Sequence, residues 1–195
     1  MLLEVLKFPD PRLRIKCKPV QEVTPELVQF ADDMLETMYA SKGIGLAAAQ
    51  VNRQIRFLVI DTRPRDEEGR YDLTHMTELE KTIEQPIFLF NPEIIKKEGK
   101  TTYEEGCLSV PTYFEIVERF NYIEVKGLNK EGKEYQIKTD GLLSICIQHE
   151  IDHLDGKLFI DRLSTIKSNR IKSKIKKFGY PEAESETEEN IEHKL

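Results

Sequence analysis

The sequence predicts an α+β protein in which short antiparallel strands pack around a central helix that carries an HExxH motif, followed by a C-terminal helix. Two observations support this fold class. Several short β-prone runs are separated by turn signals, and two of them flank a hairpin turn. Two further segments place apolar residues at helical spacing, and the second contains the motif. Short strands around one buried helix are typical of α+β folds.

The first helix is predicted to begin after Thr24 and to end near Gly43. Thr24 supplies a capping hydroxyl, and Pro25 takes the first helical position, where proline costs no hydrogen bond. Apolar residues then recur at helical spacing, so one face of this helix is expected to be buried. These residues are Leu27, Phe30, Ala31, Met34, Leu35 and Met38.

Four short runs are predicted as strands. Two of them are continuous and apolar, whereas the other two alternate in polarity. Asn91-Pro92 is expected to close the second run, and residues 129–132 are expected to form the hairpin turn between the last two. The four runs are residues 56–61, 87–90, 122–127 and 134–138.

Residues 62–85 are charged and lack a clear period. This composition predicts a long loop or insertion with one helical turn around 77–83. Such a loop would shape the rim of a cleft or contact a partner.

The central helix is predicted to open at Asp140-Gly141 and to stop at Gly156. Its first residues follow a short polar turn, and its motif residues share one helical stripe with apolar side chains. That stripe should therefore face the interior. Its members are Leu142, Ile145, Cys146, His149 and His153.

The C-terminal segment divides by charge. From Arg162 to Lys177 there are seven basic residues and no acidic one, with isoleucines interleaved, which predicts a basic amphipathic helix. After Pro181 glutamates dominate, which is typical of a disordered tail. We therefore expect a catalytic domain over residues 1–165, the basic helix over 166–180 and the acidic tail over 181–195.

Composition narrows the range of partners and compartments. The chain has 195 residues and a formal net charge of −6, so no chain-wide attraction to DNA or to an anionic membrane is expected. No stretch approaches the roughly 20 apolar residues that a spanning helix needs. Its three cysteines are an odd number without disulfide-like spacing, which favours the reducing cytoplasm.

The strongest local signal is the HExxH motif of residues 149–153. On a helix, His149 and His153 lie on one face, so both imidazoles can reach one metal ion. Glu150 is then placed to take a proton from water at the metal. Two surface histidines on either side of a solvated carboxylate would produce the same sequence motif. The apolar residues of the same helical stripe argue against that interpretation.

A catalytic site built on two histidines needs a third protein ligand. Downstream, His193 lies in the acidic tail, and Asp155 and Asp161 belong to no motif. Cys107 is a better candidate because a thiolate binds zinc and ferrous iron strongly and Gly106 allows close backbone approach. A single cysteine is more often a small buried apolar residue, so this segment alone leaves both interpretations open.

Residues 43–50 form a third notable segment, GIGLAAAQ. Small residues permit tight turns and close packing, and Gln50 adds a neutral donor and acceptor. Taken alone, the segment fits a helix end followed by tight packing just as well as a functional site.

Together these segments resemble the signature of the peptide deformylase family. The family pattern GxGLAAxQ, EGCLS and QHExDH is matched at every signature position and in the same order. Similarity extends from the FPDPRL opening at residue 8 to about Leu163. The resemblance therefore implies a metal-dependent hydrolase that removes the N-formyl group from N-formylmethionyl polypeptides and releases formate.

The resemblance also implies residue roles. Cys107, His149 and His153 would hold a divalent metal, most often Fe²⁺ in this family, with Zn²⁺, Ni²⁺ or Co²⁺ able to substitute. Glu150 would act as general base and then general acid. The Gln50 amide and the Leu108 backbone N–H would stabilise the oxyanion.

Substrate contacts carry over in the same way. Main-chain groups of Ile44, Gly45 and Gly106 would bind an extended peptide. Glu105 and Arg119 would form an ion pair that braces the cysteine loop. The pocket for the formylmethionine side chain would be lined by Ile44, Leu142, Ile145, Cys146 and His149.

Three functional alternatives remain at this stage. The basic helix resembles the C-terminal helix with which some bacterial deformylases dock on the ribosome, although a solvated basic face is the default for such a helix. A zincin-type protease would use the HExxH motif without Cys107. A non-catalytic metal-binding or ribosome-associated protein of the same fold would need neither Glu150 nor Gln50.

Overall fold

A computed structural model describes residues 1–64 and 69–180 of the chain. The order of its elements mixes helices and antiparallel strands, as the α+β prediction requires. The predicted acidic tail lies outside the described residues. The helices are α1 (Pro25–Ala40), α2 (Gly141–Leu154) and α3 (Thr165–Phe178). The strands are β1 (Gly45–Ala47), β2 (Phe57–Ile60), β3 (Ile87–Glu98), β4 (Thr101–Glu105), β5 (Glu115–Arg119), β6 (Tyr122–Leu128) and β7 (Glu134–Thr139).

The larger sheet has five strands in the order β1-β2-β3-β6-β7, and every neighbouring pair is antiparallel. The predicted hairpin is present, with β6 and β7 joined through the turn at Asn129. Because β1 pairs only with β2, its second edge is free of any strand of this sheet. Gly45, the first residue of β1, lines the cavity of the site described below.

Strand β2 is buried on both faces because a helix covers each side. Phe57 and Val59 pack with the α1 side chains in one apolar cluster, whereas Leu58 and Ile60 pack with the α2 side chains in another. Alternation of side chains along a strand sends neighbours to opposite faces. This explains why the β2 sequence is a continuous apolar run instead of an alternating one.

The predicted end of β3 at Asn91-Pro92 is wrong. The strand continues to Glu98, with one register shift between Phe90 and Glu93, which spans this dipeptide, and a second between Ile94 and Lys96. Asn91 adopts a positive φ of 50° and exchanges hydrogen bonds of 2.9 Å with the backbone of Val20. A bulge therefore accommodates a proline that a regular ladder would exclude.

Three strands have no counterpart in the sequence prediction. Strand β1 has only three residues, and β4 and β5 form a separate two-stranded sheet. The β4 sequence TTYEE is polar and mostly exposed, so it lacks the apolar alternation that indicates a strand. The Cys107 segment is the connection between β4 and β5.

The long segment before β3 contributes the cap of the central helix. A single 3-10 turn, Glu80–Thr82, lies within the predicted range. Glu80 is buried, and its carboxylate accepts hydrogen bonds of 2.8 Å from the backbone N–H groups of Leu143 and Thr77. Helix α2 does open at Gly141 as predicted, but Asp140 makes no side-chain capping bond. Glu80 caps it instead.

Helix α3 begins at Thr165 with Ser164 as its cap and buries Ile171 and Ile175. Ile166, another of the interleaved isoleucines, is exposed, and so is Phe178 at the end of the helix. Its buried stripe is thus narrower than the sequence pattern indicates. None of the helices in residues 1–64 and 69–180 combines the length and apolarity that a membrane span requires.

Gly156 ends α2 in a conformation that alanine should not tolerate. Its φ is +72°, and a Cβ added there would lie 2.5 Å from the backbone oxygen of Arg14. We expect Gly156→Ala to lower the free energy of unfolding by about 2 kcal/mol or more, since both backbone strain and a backbone clash contribute. Urea denaturation measures this change.

Gly132→Ala is the matched control. Gly132 has the same φ of +72°, but the nearest atom to an added Cβ is at an ordinary 3.7 Å. We expect a loss of about 1 kcal/mol from strain alone. Equal losses in the two variants would contradict the proposed backbone clash at Gly156.

Candidate functional site

The three sequence segments meet beside helix α2. This helix provides His149, Glu150 and His153, while the β4–β5 connection provides Cys107. Gln50 comes from the 3-10 turn Ala48–Val51 that follows β1. Residues separated by about a hundred positions in the chain thus form one cluster.

Cys107, His149 and His153 are spaced as ligands of one metal ion. Their sulfur and nitrogen atoms all lie within 4.8 Å of one another. The Cys107 Sγ is 3.2 Å from the His153 Nε2, which is 3.3 Å from the His149 Nε2. Tetrahedral zinc with ordinary bond lengths separates sulfur and nitrogen ligands by about 3.6 Å and two nitrogens by about 3.4 Å. One thiol and two imidazoles therefore fit a divalent metal in both chemistry and spacing.

The first histidine is held by a buried chain of charges. His149 Nδ1 is 2.8 Å from the Glu105 carboxylate, which forms the expected ion pair with Arg119 at 2.6 and 2.8 Å. Arg119 also donates to Asp152, and Asp152 accepts from Arg162. A carboxylate behind a ligating imidazole fixes its tautomer and orientation.

These carboxylates stay ionised despite their burial. Burial opposes the charged form of Glu105, but the hydrogen bonds from Arg119 and His149 outweigh it and lower the pKa of Glu105. In the same way, Arg162 and Arg119 outweigh burial and lower the pKa of Asp152. The network is therefore charged at neutral pH.

The two histidines differ in protonation. Burial, followed by the neighbouring His149, lowers the pKa of His153 well below its ordinary value. Burial also opposes protonation of His149, but hydrogen bonds to Cys107 and Glu105 raise its pKa well above the ordinary value. Metal binding at this cluster is therefore expected to release a proton. The Nδ1 atom of His153 is buried and lacks a hydrogen-bond partner among the described residues.

Glu150 combines burial with an available oxygen. Its Oε2 atom is buried and makes no hydrogen bond to any described residue. Burial, with smaller contributions from the neighbouring charges, raises the pKa of Glu150 to about 7. Gly45 leaves room for this carboxylate, since a Cβ at Gly45 would collide with Glu150 Oε1. A carboxyl group with a pKa near 7 can both accept and donate a proton at neutral pH.

Gln50 is held in a fixed orientation. Its side-chain oxygen accepts a hydrogen bond of 2.8 Å from the Ala47 backbone N–H, and its side-chain nitrogen donates to Ser109 Oγ at 3.1 Å. The same nitrogen lies 3.7 Å from the Cys107 sulfur. One hydrogen of this amide is therefore directed toward the Cys107 sulfur, and Leu108 lines the same cavity as Gln50.

A cavity of about 480 Å³ opens beside this cluster. It is lined by nearly all the residues that the sequence analysis assigned to the site. The exceptions are His153 and Arg119, which do not line it. The lining residues from this set are Ile44, Gly45, Gln50, Glu105, Gly106, Cys107, Leu108, Leu142, Ile145, Cys146, His149 and Glu150. The predicted stripe of α2 thus faces a cavity instead of solid core.

Several residues of the site were not predicted. Tyr103 and Phe114 form an exposed aromatic rim, and Phe114 covers Gly106 so closely that a Cβ there would come within 2.5 Å of its ring. Ser109 orients Gln50, and Asp152 and Arg162 extend the charge network. Asp152 and Ser109 lie inside the matched motifs, so their places in those motifs could have indicated that they belong to the site.

The alternative third ligands are engaged elsewhere. Asp155 forms an ion pair of 2.7 Å with Arg56, and Asp161 pairs with Arg14 and Lys172. His193 lies outside the described residues. Among the described residues, Cys107 completes the one group of three candidate metal ligands.

Arg119 is expected to be essential for stability. Replacing it with methionine would remove the guanidinium that pairs with the buried Glu105 through two hydrogen bonds, and breaking a buried ion pair typically costs about 3–5 kcal/mol. Chemical denaturation at pH 7 measures the loss. The lowered pKa of Glu105 stabilises the fold above the ordinary glutamate pKa, and this contribution is lost as the pH falls through the folded-state pKa. The deficit of Arg119→Met should therefore shrink in acid.

The double variant Glu105→Gln/Arg119→Met is the control. Removing both charges should recover most of the lost stability, because neither partner is then left charged and unpaired. A double variant as unstable as Arg119→Met would show that packing of the arginine, not charge pairing, accounts for the loss.

Comparison with known proteins gives consistent matches over most of the chain. The family model described as polypeptide deformylase matches residues 2–169. A peptide deformylase of Acinetobacter baumannii (strain SDF) is 46% identical over 177 residues, which cover 90% of this chain and 91% of that protein.

Solved structures agree. The crystal structure of peptide deformylase from Ehrlichia chaffeensis matches with a TM-score of 0.79 and 37% identity, covering 93% of this chain and 99% of that one. A second structure from the same organism, in complex with actinonin, matches with a TM-score of 0.78 and 39% identity over 90% and 96% of the two chains. The matched region includes all three segments that line the cavity.

Proposed function

The chain belongs to the polypeptide deformylase family, metal-dependent hydrolases that remove the N-formyl group from nascent peptides, and on this premise we propose how its residues perform that reaction. The observation that supports the proposal most is the cluster of Cys107, His149 and His153 beside the buried Glu150 at the wall of one cavity.

Cys107, His149 and His153 would hold the metal. When bound there, a divalent metal supplies Lewis-acid polarisation of the formyl carbonyl and activation of water. Zinc and ferrous iron suit one thiolate and two imidazoles about equally. We propose Fe²⁺ as the metal in the cell, as in the family that the motifs resemble, with Zn²⁺, Ni²⁺ or Co²⁺ as substitutes.

Glu150 would transfer the protons of the reaction. Its raised pKa of about 7 lets it accept a proton from the attacking water and then donate one to the departing amine. Gln50, held by Ala47 and Ser109, would donate a hydrogen bond to the developing oxyanion together with the Leu108 backbone N–H. Donors that are fixed before the reaction cost no reorganisation when charge develops.

The peptide would bind as an added strand. Strand β1 pairs with only one strand of its sheet, its residue Gly45 lines the cavity, and Gly106, directly after β4, lines the same cavity. Backbone groups of Ile44, Gly45 and Gly106 would bond an extended chain, while side-chain pockets select its residues. The formylmethionine side chain would enter between Ile44 and the α2 residues Leu142, Ile145 and Cys146. The related Ehrlichia structure binds actinonin.

The basic helix α3 would contribute a second interaction. Lys167 and Lys172 are paired with acidic residues of this chain, whereas Arg170, Lys174 and Lys176 have no ion pair in the part that the structure describes. We propose that this face docks on ribosomal RNA, where lysine and arginine contact phosphate. We therefore propose the same division of the chain as in the sequence analysis: a catalytic domain over 1–165, the basic helix over 166–180 and the tail.

We propose that this activity is cytoplasmic, which the three free cysteines and a substrate class of nascent formylated peptides support. The deciding experiment measures formate release from formyl-Met-Ala-Ser by protein purified without oxygen, with metal content determined on the same sample. We expect formate in proportion to bound metal. Fully metallated protein that releases no formate would contradict the proposed mechanism and revive the non-catalytic alternative.

A further inference from the structure

A second cavity lies on another face of the catalytic helix. Its volume is about 470 Å³, and α2 lines it with Gln148, Ile151 and Asp152, on a different helical face from the stripe that faces the catalytic cavity. Asp155, which directly follows α2, also lines it. We name it the rear cleft. Its other lining residues are Ile94, Ile95, Lys96, Lys97, Lys100, Glu118, Arg119, Phe120, Lys157 and Arg162.

The acidic residues of the rear cleft are already neutralised. Glu118 pairs with Lys100 at 2.7 Å, and Asp155 pairs with Arg56 at 2.7 Å. Asp152 accepts from two arginines, Arg119 and Arg162. Each carboxylate of the rear cleft therefore already has a cationic partner, and among the lysines that line the cleft only Lys100 is used for this purpose.

Two lysines of the rim remain in excess. Lys97 and Lys157 are exposed, and neither forms an ion pair with any described residue. The side chain of Arg162 is 40% exposed even though it binds Asp152. The rear cleft thus has a surplus of positive charge on a chain whose net charge is −6, and concave basic sites concentrate anions.

One wall of the rear cleft is apolar. Ile95 is 45% exposed although its side chain is apolar, and Phe120 and Ile151 continue this surface inward. The ammonium group of Lys97 lies 4.7 Å from the centre of the Phe120 ring, so cation and apolar wall are adjacent. A ligand that combines an anionic group with an apolar part would contact both.

We propose that the rear cleft binds a nucleoside diphosphate. Its phosphates would contact Lys97 and Lys157, and its base would lie against Ile95 and Phe120. A cavity of this volume falls within the ordinary range for small-ligand sites. The site is separate from the catalytic cavity because the two are lined by different faces of α2.

Titration calorimetry with ADP on the metal-loaded full chain tests this assignment. Actinonin saturates the catalytic cavity in these titrations, so that ADP cannot bind at the metal. We expect one ADP site and at least a 10-fold loss of affinity in Lys97→Ala/Lys157→Ala. Arg162 is left unchanged because it belongs to the network that braces His149. Absence of ADP binding to the unaltered protein would overturn the proposal.

The control is Lys133→Ala/Lys177→Ala, which removes the same charge from exposed positions outside the rear cleft. Its ADP affinity should stay within 2-fold, and an equal loss in both double variants would overturn the site in favour of a general charge effect. Pyrophosphate should bind at least 10-fold more weakly than ADP, since it lacks a base. Equal affinity would overturn the contact with Ile95 and Phe120. A ten-nucleotide RNA that binds more tightly than ADP and is weakened by Lys97→Ala/Lys157→Ala would overturn the assignment to a free nucleotide.

Discussion

Glu150→Gln is expected to lower kcat for deformylation by about 10²- to 10⁴-fold while the protein keeps its metal. The substitution preserves the shape of the side chain but removes the group that accepts and donates protons. Because Cys107 and the two histidines are unchanged, metal content should equal that of the unaltered protein. Formate release and metal analysis on the same preparation measure both quantities.

The pH profile gives a second measure of this residue. Burial raises the pKa of Glu150 to about 7 without metal, and a nearby cation would stabilise the carboxylate and lower that pKa. Activity should therefore fall as the pH drops below 7, because a protonated Glu150 cannot accept a proton. The remaining activity of Glu150→Gln should lack this acid limb.

Glu104→Gln serves as the matched control, because Glu104 lines the same cavity but is exposed and lies at its rim. Its kcat should remain within a few-fold of the unaltered protein. A Glu150→Gln variant with near-normal kcat would exclude the carboxylate from proton transfer.

Cys107→Ala should abolish stable metal binding and with it nearly all activity. Loss of a residue that hydrogen-bonds to a metal ligand typically lowers metal affinity by 10- to 100-fold, and loss of the ligand itself should lower it more. Metal content after dialysis against a weak chelator measures the effect. A zincin-type protease would not need this cysteine, so the same variant separates the two enzyme classes.

Cys146→Ala is the control for cysteine chemistry. Cys146 lines the same cavity, but its sulfur lies 3.7 Å from the Ile44 carbonyl oxygen and is not part of the metal cluster. Burial raises the pKa of its thiol well above the ordinary value, which keeps it a poor metal ligand. Metal content should be unchanged, and equal loss in both variants would contradict a specific role for Cys107.

Much of the site could be predicted because its chemistry follows local rules. Spacing of i and i+4 places His149 and His153 on one helical face, and the apolar stripe showed that this face is covered. Matching of three segments in order identified Cys107 and Gln50, which no single segment could do. The ion pair of Glu105 with Arg119 followed from the same resemblance.

The remainder depends on tertiary contacts that leave no local pattern. Strand β4 is polar and exposed, so only its pairing with β5 defines it. The chain continues β3 past Asn91-Pro92 because a bulge and the bonds to Val20 hold it there, which outweighs the usual turn signal. Tyr103 and Phe114 reach the cavity rim because the β4–β5 sheet brings them there, and neither lies in a periodic segment.

Because Glu80 caps α2, a residue that does not line the cavity can influence which substrate the cavity prefers. Leu142, in the first turn of this helix, lines the cavity where we propose that the methionine side chain binds, while the adjacent Leu143 N–H donates a hydrogen bond to Glu80 of the long segment before β3. Glu80 packs directly against Gly141, since a Cβ added at Gly141 would lie 2.6 Å from the Glu80 carboxylate. Relatives with identical pocket residues can therefore differ in the width of that pocket when their loops differ. Comparing only the residues that touch a peptide or an inhibitor would overlook this source of selectivity.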